Sequence, residues 1–284
     1  MNTANHDSLN IGKVNTLTII QLNALGATLD GGKLGPVLLT ATANTGELTV
    51  GKTVDVFIYL DSEGELAATT QTPKVQLGEI AWLKVIDVNS VGGFLDWGLP
   101  KDLFIPFGEQ QFELQPGRYV LAKVYLDNQN RLAASTRLDH LLSDDEHSFK
   151  EGEQVALLIA EKTELGYKVI INHQCFGLLY ENELIKPLNR GESHIGYIKK
   201  VRDDNKIDLS LNPIGYNQEL NDATANKILE QLKLNDGFML LNDKSPPEAI
   251  YKVFGVSKKA FKKACGALYK KRIIVIEKKG IRLL

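Results

Sequence analysis

Cysteine is scarce in this sequence, with only Cys175 and Cys265 among 284 residues. Two thiols cannot form a disulfide framework or a cysteine-ligated zinc site. No uninterrupted run of ~18 apolar residues occurs, so no membrane-spanning helix, and no membrane partner, is expected. The opening MNTANHDSLN is polar and lacks an apolar leader core, which points to the cytoplasm. Histidine is sparse and scattered: His6, His140, His147, His173 and His194. None makes a metal-type pair, and the nearest two flank an acidic linker-like stretch, LLSDDEH. Asp144-Asp145 and Asp203-Asp204 sit in turn sequences, where Asp is favoured for conformational reasons. Gly31-Gly32-Lys33 lacks the remaining glycine and the Ser or Thr of a phosphate loop. The two cysteines lie in apolar stretches that suit packing better than reaction. No catalytic residue, metal site or cofactor is therefore expected, and the chain does not read as an enzyme.

An excess of one charge is also missing overall. Lys plus Arg is 33, Asp plus Glu is 35, and the net charge is −2. That balance argues against a wholly basic nucleic-acid coat and against an acidic disordered chain. It conceals an asymmetry, because residues 257–284 carry +9 and residues 1–256 carry −11. A polyanion partner for the basic end and a merely solvated basic face both fit this split.

What is present is repetition. VFIYLDSEGELAATT at 56–70, AKVYLDNQNRLAAST at 122–136 and YIKKVRDDNKIDLSL at 197–211 each read as strand, polar turn, strand. Tyr59-Leu60-Asp61 matches Tyr125-Leu126-Asp127 at an offset of 66 residues. Upstream, Gly26-Ala27-Thr28-Leu29-Asp30 faces Gly92-Gly93-Phe94-Leu95-Asp96, and the third copy offers Gly166-Tyr167-Lys168-Val169. Five short strands in roughly 65 residues suit a small closed barrel. The expected architecture is mostly β with a small α+β end. Three tandem five-stranded barrels span 8–72, 74–140 and 151–214, and a winged-helix domain spans 220–284.

In that last part, DATANKILEQLKL has helix spacing with Asp222 as cap, and FMLL is a short strand. A helix follows Pro246-Pro247, and Ser257 caps another over Lys258–Lys271. RIIVIE and Ile281–Leu284 then form a two-stranded wing. Phe261, Ala264 and Leu268 make an apolar stripe, which leaves Lys258, Lys259, Lys262 and Lys263 on the outer face. With almost no Asn, Gln or Arg, this helix suits a sequence-tolerant nucleic-acid contact or a protein contact better than operator reading.

The repeats resemble the S-one-type RNA-binding domain, which implies that each barrel is an OB-fold. The pieces that carry the likeness are Gly92–Asp96, GLLYENEL at 177–184 and KIDLSL at 206–211. Three such barrels followed by a winged helix resemble the conserved virulence factor B family of bacterial regulators. The resemblance implies an aromatic after the glycine of the second strand, an aromatic or His in the third, and an Asp and a cation on the closing hairpin. The second repeat thereby offers Phe94, Asp127 and Arg131, with Ile105 where His is usual. The third offers Tyr167, Tyr180 (where the pattern often has His) and Lys206, with Lys168 alongside. Phe104 and Phe176 are neighbouring third-strand aromatics. The first repeat departs from the pattern, with Thr28 at the aromatic position and Glu65 at the cation position.

Period 2 puts Phe94 on one face with Asp96, and Leu95 on the other with Trp97. Phe94 is then expected to face ligand, and Tyr167 likewise, the competing reading being core. Trp97 fits core or rim equally. The function implied is non-catalytic, single-stranded RNA binding that regulates gene expression after transcription, including virulence-associated genes, by a monomer. The alternatives are a DNA-binding transcription regulator acting through the winged helix, and a ribosome-associated protein scaffold.

Overall fold

Glycine turns and an alternation of inward apolar and outward polar residues divide the first two-thirds of the chain into short strands. The computed structural model describes residues 9–23, 26–40, 48–61, 64–142, 148–184, 186–213 and 216–284. Position 8, where the first barrel is expected to begin, lies outside them, as do His6, Asp144, Asp145 and His147. Two units divide the chain, Met1–Leu141 and Leu142–Leu284.

The first unit holds two β-domains. Strands β1 (Val14–Asn23), β2 (Gly26–Asp30), β3 (Pro36–Thr40), β4 (Thr53–Leu60) and β5 (Leu66–Thr69) close into a barrel in the order β1-β2-β3-β5-β4. Its core is Leu17, Ile19, Leu29, Val37, Leu39, Val56 and Ile58. Strands β6 (Ile80–Asn89), β7 (Gly92–Asp96), β8 (Leu103–Pro106), β9 (Tyr119–Leu126) and β10 (Leu132–Ser135) repeat the topology. Here the sheet runs β10-β9-β6-β7-β8, and its end strands β8 and β10 lie side by side without a backbone ladder. Just beyond them, the Thr136 N–H donates to the Glu109 carbonyl at 3.0 Å. A short helix, α1 (Leu138–Leu141), ends the unit.

The two domains are packed, not merely strung together. Val56 and Ile58 point into the first barrel, so Phe57 points out, yet it is only 1% exposed. Trp97 of the second domain covers it edge-on, with ring centroids 5.6 Å apart. Trp97 is thus core, and its indole N–H donates to the Lys101 carbonyl. The Leu77 N–H donates to the Gly12 carbonyl at 2.8 Å, and the Gln76 side chain accepts from the Val14 N–H at 2.9 Å.

The second unit opens with a third barrel. Its strands are β11 (Gln154–Lys162), β12 (Gly166–Ile171), β13 (Cys175–Tyr180), β14 (Ser193–Val201) and β15 (Ile207–Ser210), closed in the order of the first. A winged helix follows: α2 (Tyr216–Leu234), β16 (Phe238–Met239), α3 (Pro247–Phe254), α4 (Lys258–Lys270), β17 (Ile274–Glu277) and β18 (Gly280–Leu283). Helix α2 starts at Tyr216, so Asp222 lies inside it and is not its cap. Ser257 does cap α4, accepting from the Ala260 N–H. Phe261, Ala264 and Leu268 pack with Ile228, Leu232, Ile250 and Phe254 beneath the three-stranded sheet β16-β18-β17. Among the described residues no helix is long and apolar enough to cross a membrane.

Candidate nucleic-acid interface

Which side chains face outward depends on register, and a bulge sets it. The first strand of each barrel carries an extra residue at the same place: between Ile19 and Gln21, between Val85 and Asp87, and between Ile159 and Glu161. Counting from the bulge, Leu29, Leu95 and Val169 are equivalent, because they pair with Ile19, Val85 and Ile159. One residue earlier stand Thr28, Phe94 and Lys168. The third-repeat equivalent of Phe94 is therefore Lys168. Tyr167 belongs one position back, with Gly93 and Ala27, on the inward face. A one-residue slip moves a side chain to the opposite face of a sheet.

The expectation that Tyr167 faces ligand is corrected accordingly. Tyr167 is 2% exposed and sits in the barrel core. Its hydroxyl accepts from the Leu188 backbone N–H at 3.2 Å. The preceding Gly166 has φ +154°, and a Cβ there would lie 2.0 Å from the Leu179 carbonyl oxygen. The glycine that made the motif visible thus serves close strand approach.

In the second domain the candidate residues converge. Phe94 and Phe104 are directly paired across β7 and β8, half-buried, with ring centroids 5.5 Å apart. Arg131 donates through Nε and a terminal nitrogen to one Asp127 oxygen, at 2.9 and 2.8 Å. The other Asp127 oxygen accepts from the N–H groups of Gln129 and Arg131. Burial raises the Asp127 pKa, but the Arg131 and Gln129 bonds outweigh it and hold the carboxyl below the usual range. All four residues line one cavity of about 280 Å³. Sequence reasoning missed other parts of its wall. Lys101 and Asp102 come from the loop before β8, and Tyr59 and Asp61 come from the closing hairpin of the first barrel. The Tyr59-Leu60-Asp61 match to Tyr125-Leu126-Asp127 was the available signal.

The third barrel distributes its candidates differently. The Lys168 ammonium stands 3.8 Å from the Phe176 ring centroid. Tyr180, two residues further along the same face of β13 than Leu178, accepts a hydrogen bond on its hydroxyl from Arg202. Arg202 also donates to Asp208, and the Lys199 ammonium lies 5.5 Å from the Tyr180 ring. Lys206 is at the hairpin tip, paired with Asp204 at 3.0 Å. Sequence reasoning passed over Arg202, although its spacing to Lys206 equals that of Asp127 to Arg131. In both hairpins the earlier residue's N–H donates to the later residue's carbonyl at 2.9 Å.

On α4, Lys262 and Lys263 are exposed and Lys258 is half-buried. Lys259 does not belong to a free basic face. Its ammonium pairs with Glu183 of the third barrel, a carboxylate that Lys199 also contacts. Among the described residues no group of three or more His, Cys, Asp or Glu is placed to hold a metal ion. Burial first, then Asp243, pushes the Cys265 thiol up to about 12.

Residues 226–283 match the CvfB-like winged helix domain family, and residues 11–71 and 77–137 match the S1 domain family. Over 294 aligned residues the chain is 29% identical to conserved virulence factor B of Staphylococcus aureus, covering 96% of this chain and 94% of that protein. The Staphylococcus epidermidis protein of the same name is 27% identical over 283 residues, with the same coverage. An uncharacterized Bacillus subtilis protein, YitL, is 29% identical over 280 residues, covering 93% of this chain and 90% of that one. A solved Streptococcus pneumoniae structure described as a multidomain protein with nucleic acid binding domains is 25% identical, with a TM-score of 0.40, over 96% of this chain and 98% of that one.

Proposed function

We propose that this chain, which belongs to the conserved virulence factor B family, binds single-stranded RNA and acts without catalysis as a post-transcriptional regulator, virulence-associated genes included. S1 and winged-helix domains are nucleic-acid-binding modules, and this part of the reading follows from the domains themselves. The preference for a single strand over a duplex is carried by one observation, and the choice of RNA over DNA rests on the resemblance to S-one-type RNA-binding domains. The Phe94–Phe104 pair lies beside Arg131 in one cavity. Every base has a π-face, so such a ring pair holds unstacked bases without reading sequence. Bases inside a duplex do not offer those faces. A cation beside the rings meets the phosphate that follows each base. Lys168 over Phe176, and Arg202 on the Tyr180 hydroxyl, supply a second point of contact in the third barrel. The working form is a cytoplasmic monomer.

The test compares fluorescently labelled single-stranded RNA, single-stranded DNA and duplex DNA of equal length at several salt concentrations. Tighter binding of single-stranded RNA, weakened by Phe94→Ala with Phe104→Ala, is the expected result. Equal or tighter duplex binding that survives the double substitution would instead favour transcriptional control through the winged helix.

A further inference from the structure

The first barrel lacks the features of a base-binding surface, yet it builds part of one. Thr28 and Leu38 are its paired equivalents of Phe94 and Phe104. Its outward aromatics are on β4. Phe57 is consumed by packing on Trp97, and Tyr59 lies on the same face two residues on, its ring stacked with Phe57 at 6.2 Å. Tyr59 thereby lines the cavity that also holds Phe94 and Phe104, and Asp61 and Asp102 reach it as well.

We propose that the junction of the first two barrels is a composite nucleobase site: one unstacked base of a single strand enters the cavity that Tyr59 lines from the first barrel and Phe94 and Phe104 line from the second. The proposal rests on the nucleic-acid reading above and adds a role for the first barrel, as a wall and not a separate binder. The lining is mostly apolar with a few polar groups, the usual make-up of a small-ligand pocket. At about 280 Å³ it is below the ~300–1,000 Å³ typical of ligand pockets, which suits one base. Asp127 is already engaged by Arg131. Asp61 accepts from the Glu65 N–H at 3.0 Å, and the carboxylates of Asp61 and Asp102 are acceptor-only groups of the kind that meet the amino and ring N–H groups on base edges. Lys101 holds one flanking phosphate, and Arg131 reaches the other through the terminal nitrogen that its Asp127 pair does not use. Burial and the nearby Asp61 raise the Tyr59 phenol pKa, so its hydroxyl stays protonated and able to donate.

The experiment uses the full chain with labelled single-stranded RNA, the matching DNA strand, and free mononucleotides as competitors. Tyr59→Ala should weaken strand binding five-fold or more, and Tyr59→Phe should restore most of it. In a double-mutant cycle, Tyr59→Ala and Phe94→Ala should lose less together than the sum of their separate losses, because both act on one base. Mononucleotides should compete poorly, since they lack one of the two phosphates that flank a base within a strand. Ultraviolet cross-linking of the unmodified chain to RNA should give adducts on Tyr59 together with Phe94 or Phe104, which keeps the test decisive if Tyr59→Ala fails to fold. Additive losses, an unaffected Tyr59→Ala, adducts that skip Tyr59, or full competition by a mononucleotide would each overturn the composite site. Loss of strand binding by Phe94→Ala with Phe104→Ala but not by Tyr59→Ala leaves the RNA reading standing. Failure of the unmodified chain to bind any strand removes that reading instead.

Discussion

At the scale of single residues, rings of similar appearance do opposite work. Phe94 and Phe104 face outward, so replacing either with Ala should cost RNA binding about 1–3 kcal/mol per stack removed and leave the melting temperature nearly unchanged. Tyr167 faces inward. Tyr167→Ala should leave a cavity and cost about 3–5 kcal/mol of folding stability, read as a shifted urea midpoint. Tyr167→Phe is milder, at about 1–3 kcal/mol, because it orphans the buried Leu188 N–H. Asp96 offers a pH signature. The hydrogen bond from Lys74 holds its carboxyl below the usual range, with the Gly98 N–H assisting against burial. A depressed carboxyl stabilises the fold above its ordinary pKa, and that contribution disappears as pH falls through the folded value. Both partners are more than a third exposed, so the effect is below about 1 kcal/mol. The urea midpoints of the unmodified chain and Asp96→Asn should differ at neutral pH and converge in acid.

At the scale of elements, the decisive features are a bulge and a helix face. The bulge in β1, β6 and β11 fixes which residue of the following strand points out, and so gives the third barrel a lysine where the second has a phenylalanine. That exchanges stacking area for a cation resting on Phe176. Helix α4 carries its lysines unequally. Lys259 is held by Glu183, whereas Lys262 and Lys263 are exposed. If this face touches RNA, Lys262→Gln with Lys263→Gln should flatten the salt dependence of binding, by about 0.7 in log–log slope for each phosphate of a single strand that is no longer neutralised. Lys259→Gln should change the slope less, because its charge is already committed. Circular dichroism should show α4 intact in both, since Gln is nearly as good a helix former as Lys.

For the whole molecule, charge and domain order matter more than any one side chain. The acidic majority at −11 repels phosphate, and the basic end at +9 attracts it. Binding should therefore weaken steeply with salt, and removing residues that gather positive charge should hurt more than removing scattered cations. Packing within the first unit means the first barrel is not dispensable. Phe57→Ala should uncover Trp97 and lower the stability of the second domain, seen in a Trp82→Phe background as earlier exposure of Trp97 fluorescence on titration with urea.

The number of barrels, the winged helix after them and the stripe Phe261, Ala264, Leu268 are legible in the residues alone, because period-2 and period-3.6 patterns with glycine turns are local signals. The sequence also marked Phe94, Phe104, Asp127 and Arg131, which the second domain brings to one cavity. Contacts between distant segments settle what these local patterns leave open. The bulge in β11 sets the face that Tyr167 takes; counting from Gly166 already places it with Gly93 and Ala27, whereas the ligand-facing expectation followed the first residue after the glycine. The pairing of Lys259, itself exposed, depends on Glu183, distant in sequence and adjacent in space. The part played by Tyr59 and Asp61 depends on how two barrels meet, through Phe57 against Trp97, and packing between domains is written in neither domain's own periodicity.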